Sequence, residues 1–272
     1  MNIYLSPHHD DVCFSIGHLA ASRGGEVVNL FTVSSYVATP SPGAPPGQTR
    51  LDTTTERRQR EDDRFIQAAG LSAQDFELAD VAGDADPFDL SGIESEVDLL
   101  TARLIPYLLD RLPADSDPQT ANLYCPMGIG AHRNHVSTLM AVKRAYDALS
   151  PRCAIFLYED LHYASIDWIR KRDLYAARTA FAGHGVLPMM VPLSQEDMER
   201  KLSWIGFYES QVGAAPQASQ YVPFTGMSTR PHEAIWRIFP SQAATPLSAV
   251  SPTQGWLAMN GRHQASTPIK VG

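Results

Sequence analysis

Asn2-Ile3-Tyr4-Leu5, followed at once by Ser6-Pro7-His8-His9-Asp10-Asp11, sets how the rest of the chain is read. A short apolar run stopped by Ser-Pro predicts a buried strand. Val12, Ile16, Leu19 and Ala20 then recur with a helical period, so a helix over 12–22 is expected directly after the polar cluster. Two imidazoles and two carboxylates therefore share one strand-to-helix loop. In an open parallel sheet, ligands bind beyond the carboxyl ends of the strands, where such a loop lies.

Outward from this point the pattern alternates. Gly24-Gly25 ends the helix, and Glu26 to Val33 reads as a second buried strand, giving a strand–helix–strand unit of a doubly wound α/β sheet. Ser34 to Asp52 is rich in Pro, Ser, Gly and Thr and reads as a long loop and candidate lid. A helix is expected over 53–70, with Arg57, Arg58, Arg60, Glu61, Asp62 and Asp63 forming a solvated, salt-bridged face. A weak strand over 75–78 precedes an amphipathic helix over 94–112, in which Pro106 predicts a kink.

Asn122 to Pro126 is the next strand, and His132-Arg133-Asn134-His135 opens a helix running to Tyr146, so its two histidines share one face. Ala154 to Tyr158 again ends in charge, at Glu159-Asp160-Leu161-His162-Tyr163. Beyond Trp168 the pattern is less regular, with a helix expected over 195–211 and a strand over 234–239. Residues 1–240 read as one domain, and 241–272 as an extended or loosely docked C-terminal extension.

Across 272 residues, 44% are hydrophobic and 19% charged, as expected of a folded soluble protein. The net charge of −8 gives no general reason to expect nucleic acid or an anionic membrane as partner. Cys13, Cys125 and Cys153 are too scattered for a disulfide framework and read as core thiols. No basic leader or long apolar span is visible, so no membrane insertion and a cytoplasmic location are expected, with a small-molecule substrate as partner.

The two polar clusters carry complementary chemistry. Hydrolytic zinc takes a few N or O ligands and keeps a position open for water. His8, Asp11 and His135 would supply such a set, which also suits Fe2+ or another divalent metal. Asp10 could take a proton from the activated water, and His132 could stabilise an oxyanion or protonate a leaving nitrogen. Plainer readings stand beside these. A histidine at a helix start is often a cap or surface residue, and Asp10-Asp11 could simply cap the helix that follows. The balance shifts because two separate strand-end loops offer complementary ligands.

At these residues the sequence resembles the LmbE-like, PIG-L type N-deacetylases. Their first motif, Pro-His-x-Asp-Asp followed by Gly, stands as Pro7-His8-His9-Asp10-Asp11 with Gly17, and their His-x-x-His as His132-Arg133-Asn134-His135. Weaker likenesses run through Arg60-Glu61-Asp62, Tyr158-Glu159-Asp160, Tyr208-Glu209-Ser210-Gln211 and Glu233 to Arg237. The resemblance implies a Rossmann-like, mostly parallel sheet flanked by helices, with zinc held at the strand ends by His8, Asp11 and His135. It further implies Asp10 as general base and His132 as acid or oxyanion stabiliser. Two departures stand out: His9 replaces an apolar residue, and Asn134 replaces the Asp of His-x-Asp-His, an Asn that can still accept a hydrogen bond from an imidazole without stabilising its charge.

The function expected from the resemblance is hydrolysis of an N-acylated amino sugar or small glycoconjugate to a free amine and a carboxylate. Alternatives are amidase action on a thiol conjugate, a silent metal- or ligand-binding protein of the same fold, and a non-haem iron oxygenase, against which the alternating helices and strands count. His9, Arg60, Glu159, Asp160 and His162 are the candidate substrate contacts, and selectivity is expected from 34–52 and 159–163.

Overall fold

The structure, a computed structural model, describes residues 1–38, 50–81, 85–112, 114–115, 118, 120–212, 216–224 and 230–240. Its elements follow the order β1 (Asn2–Ser6), α1 (Asp11–Arg23), β2 (Glu26–Asn29), α2 (Arg50–Ala69), β3 (Ser72–Asp75), α3 (Ile93–Arg111), β4 (Asn122–Pro126), α4 (Arg133–Arg144) and the single turn α5 (Tyr146–Leu149). Then come β5 (Ala154–Tyr158), α6 (Asp167–Ala180), β6 (His184–Pro192), α7 (Gln195–Ile205) and β7 (His232–Pro240). The strands form one sheet in the order β3-β2-β1-β4-β5-β7-β6, parallel through the first five and antiparallel at β7 and β6.

Alternation along the central strands sorts side chains onto two faces, and both are covered. Ile3, Leu5, Leu123, Cys125, Ile155 and Leu157 join residues of α3, α4 and α6 on one side. Tyr4, Val27, Tyr124, Phe156 and Tyr158 meet α1, α7 and Phe65 of α2 on the other. There the rings of Tyr4, Tyr124 and Phe156 stack across neighbouring strands at 4.8 and 5.1 Å. Each such pair is worth about 0.5–1.5 kcal/mol beyond the area it buries.

Chain order reverses between β1 and β4. From β1 the chain builds outward through β2 and β3, then returns to add β4 and β5 on the other side. A crevice opens at such a switch point beyond the strand ends, and here it lies between the loops that carry the two histidine clusters.

Several sequence expectations shift in detail. The third strand lies at Ser72–Asp75 rather than 75–78 because its backbone pairs with β2 while its polar side chains stay mostly exposed. α6 and β6 occupy the region read as irregular, and β6 is a largely exposed edge strand carrying Pro188 and Pro192, which suits an edge. The helix over 195–211 ends at Ile205, before Gly206. Of the expected loop over 34–52, residues 39–49 lie outside the described residues, as does the whole of 241–272; residues 50–52 belong to α2. No helix among the described residues is long and apolar enough to cross a membrane.

Candidate metal centre

The loop after β1 is closed on itself. The Ser6 hydroxyl donates to the His8 carbonyl and accepts the Val12 N–H, while Asp11 Oδ2 accepts the His8 N–H at 2.7 Å. This turns the His8 ring and the Asp11 carboxylate towards the start of α4, where His135 sits one turn inside the helix. His8 Nδ1 and His135 Nε2 each lie 3.2 Å from Asp11 Oδ2 and 3.3 Å from one another. Bonds of about 2.0–2.1 Å at tetrahedral angles place ligand atoms about 3.3–3.4 Å apart. The three donors thus outline one face of a zinc-sized tetrahedron. His132 completes a looser three-histidine group with His8 and His135, its ligand atoms within 4.8 Å of one another; the set containing Asp11 is the better fit because its edges match the bond lengths.

Each imidazole is held from behind. His135 Nδ1 lies 2.7 Å from Asp160 Oδ1, and Asp160 Oδ2 accepts the Ile129 N–H at 2.8 Å. His8 Nε2 lies 3.3 Å from Asp80 Oδ1, and Asp80 is steadied by the Ser34 hydroxyl at 2.8 Å and the Val81 N–H at 2.7 Å. Burial alone would make both imidazoles less basic. The Asp80 and Asp11 carboxylates outweigh it and raise His8 to about 9, and Asp11 with Asp160 raises His135 to about 10. Against its own burial, Asp11 is held well below the usual carboxylate range by His135 and His8. This buried donor set carries excess negative charge and attracts a cation, proton or metal ion alike.

Asp10 and His132 flank the triangle. Asp10 caps α1 through its backbone, and its Oδ1 accepts Arg58 Nη2 at 3.0 Å. Arg58 is only 4% exposed and also donates to the Ser34 hydroxyl at 3.1 Å, with Asp80 3.8 Å away. The His132 ring stands edge-on to His8 at 4.8 Å and 5.2 Å from His135. Burial, then the charges of His8 and His135, push its basicity well below the ordinary value. The expected hydrogen bond from Asn134, which could accept a hydrogen bond from an imidazole, accepts none: His132 Nδ1 and both amide atoms of the fully buried Asn134 are unpartnered among the described residues.

The candidate substrate contacts divide. His162 is exposed at the rim, within electrostatic reach of Asp10 and Asp11. Asp160 instead stands behind His135, and buried Glu159 is occupied by both arms of Arg170 at 2.6 and 2.7 Å and by Trp236 Nε1 at 2.9 Å. His9 points away from the ligand face, its Nε2 3.5 Å from Asp75 in a buried group with Asn29, Asp62 and Tyr208. Successive side chains of a tight loop diverge, which is why His8 and His9 serve opposite sides.

Arg60 lies on the solvent face of α2, paired with Glu56 at 3.7 Å. Two residues away is nearly the opposite side of a helix, and there Arg58 and Asp62 turn inward, joined by Glu61, so only part of this charged stretch is the solvated face expected. Sequence reasoning passed over Arg58 as a site residue and Asp80 altogether. The available signal was positional: Asp80 follows the apolar Leu78 where Val33 and Ala79 bridge in parallel beyond β2 and β3.

No family model matches the chain. Over 227 residues it is 26% identical to 2'-N-acetylparomamine deacetylase of Streptomyces fradiae, an alignment covering 77% of this chain and 73% of that protein. The architecture matches a deacetylase of the teicoplanin biosynthesis pathway with a TM-score of 0.59 at 18% identity, over 89% of this chain and 99% of that one. The chain therefore has the fold of that deacetylase, the fold expected from the sequence. N,N'-diacetylchitobiose deacetylase from Pyrococcus horikoshii shares it, with a TM-score of 0.52 at 15% identity over 91% and 87% of the two chains. In the present example of the deacetylase fold, both histidine clusters meet at the switch point of the sheet.

Proposed function

We propose that this protein is a metal-dependent N-deacetylase that hydrolyses the amide of an N-acetylated amino sugar or small glycoconjugate to a free amine and acetate. The observation that carries the reading is the 3.2–3.3 Å triangle of His8, Asp11 and His135, with Asp10 and His132 beside it. Similarity to a 2'-N-acetylparomamine deacetylase supports an amino-sugar amide as substrate.

Two imidazoles and one carboxylate suit Zn2+, the ion we assign, and would also accept Fe2+. Bound there, the ion supplies Lewis acidity, which lowers the pKa of water from about 15.7 towards about 7 and polarises a carbonyl. Asp80 and Asp160 keep the two imidazoles in the orientation that binding requires. Asp10, held by Arg58, accepts the proton of the attacking water and returns it to the leaving nitrogen. His132, kept neutral by its surroundings, presents an N–H to the oxygen that gains charge as the carbonyl becomes tetrahedral.

The test is free-amine release from N-acetylglucosamine, N,N'-diacetylchitobiose and N-acetylated aminoglycosides, comparing metal-loaded protein, metal-stripped protein and Asp10→Ala. Metal-dependent release that disappears in Asp10→Ala, with bound metal retained, is expected. Release that survives in Asp10→Ala, or no release by metal-loaded protein, overturns the reading.

A further inference from the structure

Phe88 is 41% exposed, yet its surroundings are fixed. Its N–H donates to Asp86 Oδ1 at 2.9 Å, and the preceding carbonyl, of Pro87, accepts the Arg133 N–H at 2.8 Å. Arg133 Nη1 reaches the carbonyls of Asp89 and Ser91 at 3.1 and 2.8 Å, and its Nε is anchored on Glu96 at 3.0 Å. The turn that bears Phe88 is thereby tied to the first residue of α4, the helix whose start carries His132 and His135. The Phe88 ring stands at 80° to His132 with centroids 5.9 Å apart, and at 88° to Tyr163 at 6.3 Å.

Tyr163 is equally constrained. Its ring lies against Gly130, where a Cβ would come within 2.4 Å of it, so only glycine fits beneath. It also meets the His135 ring at 6.5 Å. A single exposed apolar side chain is ordinary. A phenyl ring on a pinned turn, open to solvent on one side and set against a proposed catalytic histidine on the other, is a preformed contact for what enters the site.

We propose that Phe88, backed by Tyr163, is a specificity-determining residue that receives the apolar C–H face of the substrate's sugar ring. The inference rests on the deacetylase reading. The amide carbonyl must reach the buried His8–Asp11–His135 cluster, and the bulky half of the substrate must then extend outward past the rim. Phe88 occupies that rim, so it meets the sugar and not the small acetyl group.

The experiment compares wild type, Phe88→Ala and Phe88→Trp in two assays. Hydrolysis is measured on N-acetylglucosamine and on acyclic N-acetylethanolamine, and binding of glucosamine is followed by NMR titration, which needs no turnover. Phe88→Ala is expected to lower kcat/KM for N-acetylglucosamine by about tenfold or more, through KM, consistent with losing contact over one ring face. The loss on N-acetylethanolamine should be several-fold smaller, glucosamine binding should weaken by about the factor lost in KM, and Phe88→Trp should retain sugar hydrolysis and sugar binding.

Equal effects on both amides, or no effect on either with sugar binding intact, overturn the platform and leave the deacetylase reading standing. No amide hydrolysis by wild type, with glucosamine binding lost in Phe88→Ala, overturns the deacetylase reading and keeps the sugar platform. Neither hydrolysis nor sugar binding overturns both.

Discussion

His135 Nδ1 lies 2.7 Å from Asp160 Oδ1, and the second oxygen of that carboxylate is pinned by the Ile129 N–H. The backbone of the loop before α4 thus fixes the carboxylate, the carboxylate fixes the ring, and Nε2 is aimed at Asp11 and His8. Partners of this kind carry about 10- to 100-fold of metal affinity. Asp160→Asn should therefore weaken Zn2+ binding by about that factor in competition with a chromogenic chelator, with the far-ultraviolet circular dichroism unchanged. Unaltered affinity would show that the Asp160 charge plays no part in holding the ion.

Arg58 is the shared counter-charge of Asp10 and Asp80. Removing one partner of a buried ion pair leaves a stranded charge, and about 3–5 kcal/mol is the usual cost. Arg58→Met is expected to lose stability of that order in urea titration and to lower kcat, because Asp10 is no longer held. Arg58→Lys should recover much of the stability but less of kcat, since an ammonium cannot span both carboxylates as a planar fork does. Full kcat in Arg58→Met would remove Arg58 from the positioning of the base.

What was legible in the chain was what local spacing encodes. Residues 2–5 and 122–126 announce buried strands, the polar clusters follow them directly, and His132 and His135 share a face by helical arithmetic. The supports were hidden. The inward stripe of α2 is Thr54, Arg58, Glu61, Asp62 and Phe65, a helical face made largely of polar residues, so hydrophobic phasing could not tell Arg58 from Arg60. Asp80 follows a polar edge strand with no alternation to mark it, and the turn that brings the Phe88 ring against His132 is tied to α4 through Arg133, a long-range contact that local spacing does not encode.

Asp62 lies in the buried group behind the loop that joins β1 to α1, where burial pushes its carboxyl up to about 6 although Tyr208 and Asn29 donate to it. Because the folded-state pKa is above the unfolded value, the stabilising protonated form is fully present below about pH 4 and is lost as pH rises through about 6. In Asp62→Asn the amide can accept from Asn29 and donate to Tyr208, whose hydroxyl can then serve the His9 carbonyl 3.2 Å away. The stability of Asp62→Asn relative to wild type should rise by about 2 kcal/mol between pH 4 and pH 7, as measured by urea midpoints at each pH. A flat difference would mean that Asp62 titrates at its ordinary value.

Asn134 is fully buried with neither amide atom partnered among the described residues, two positions from His132 Nδ1, which is also unpartnered. An unsatisfied buried polar group costs about 1–3 kcal/mol, whereas an apolar group of the same shape does not. Asn134→Leu is therefore expected to hold or raise the unfolding midpoint, and a loss of more than about 1 kcal/mol would show that the amide is satisfied in solution. Asn134→Asp acts in the opposite sense on stability but supplies a negative charge two residues along the chain from His132. Its imidazolium is then favoured, so the limb of the kcat/KM profile that follows His132 should move to higher pH. An unmoved profile would separate Asn134 from the basicity of His132 altogether.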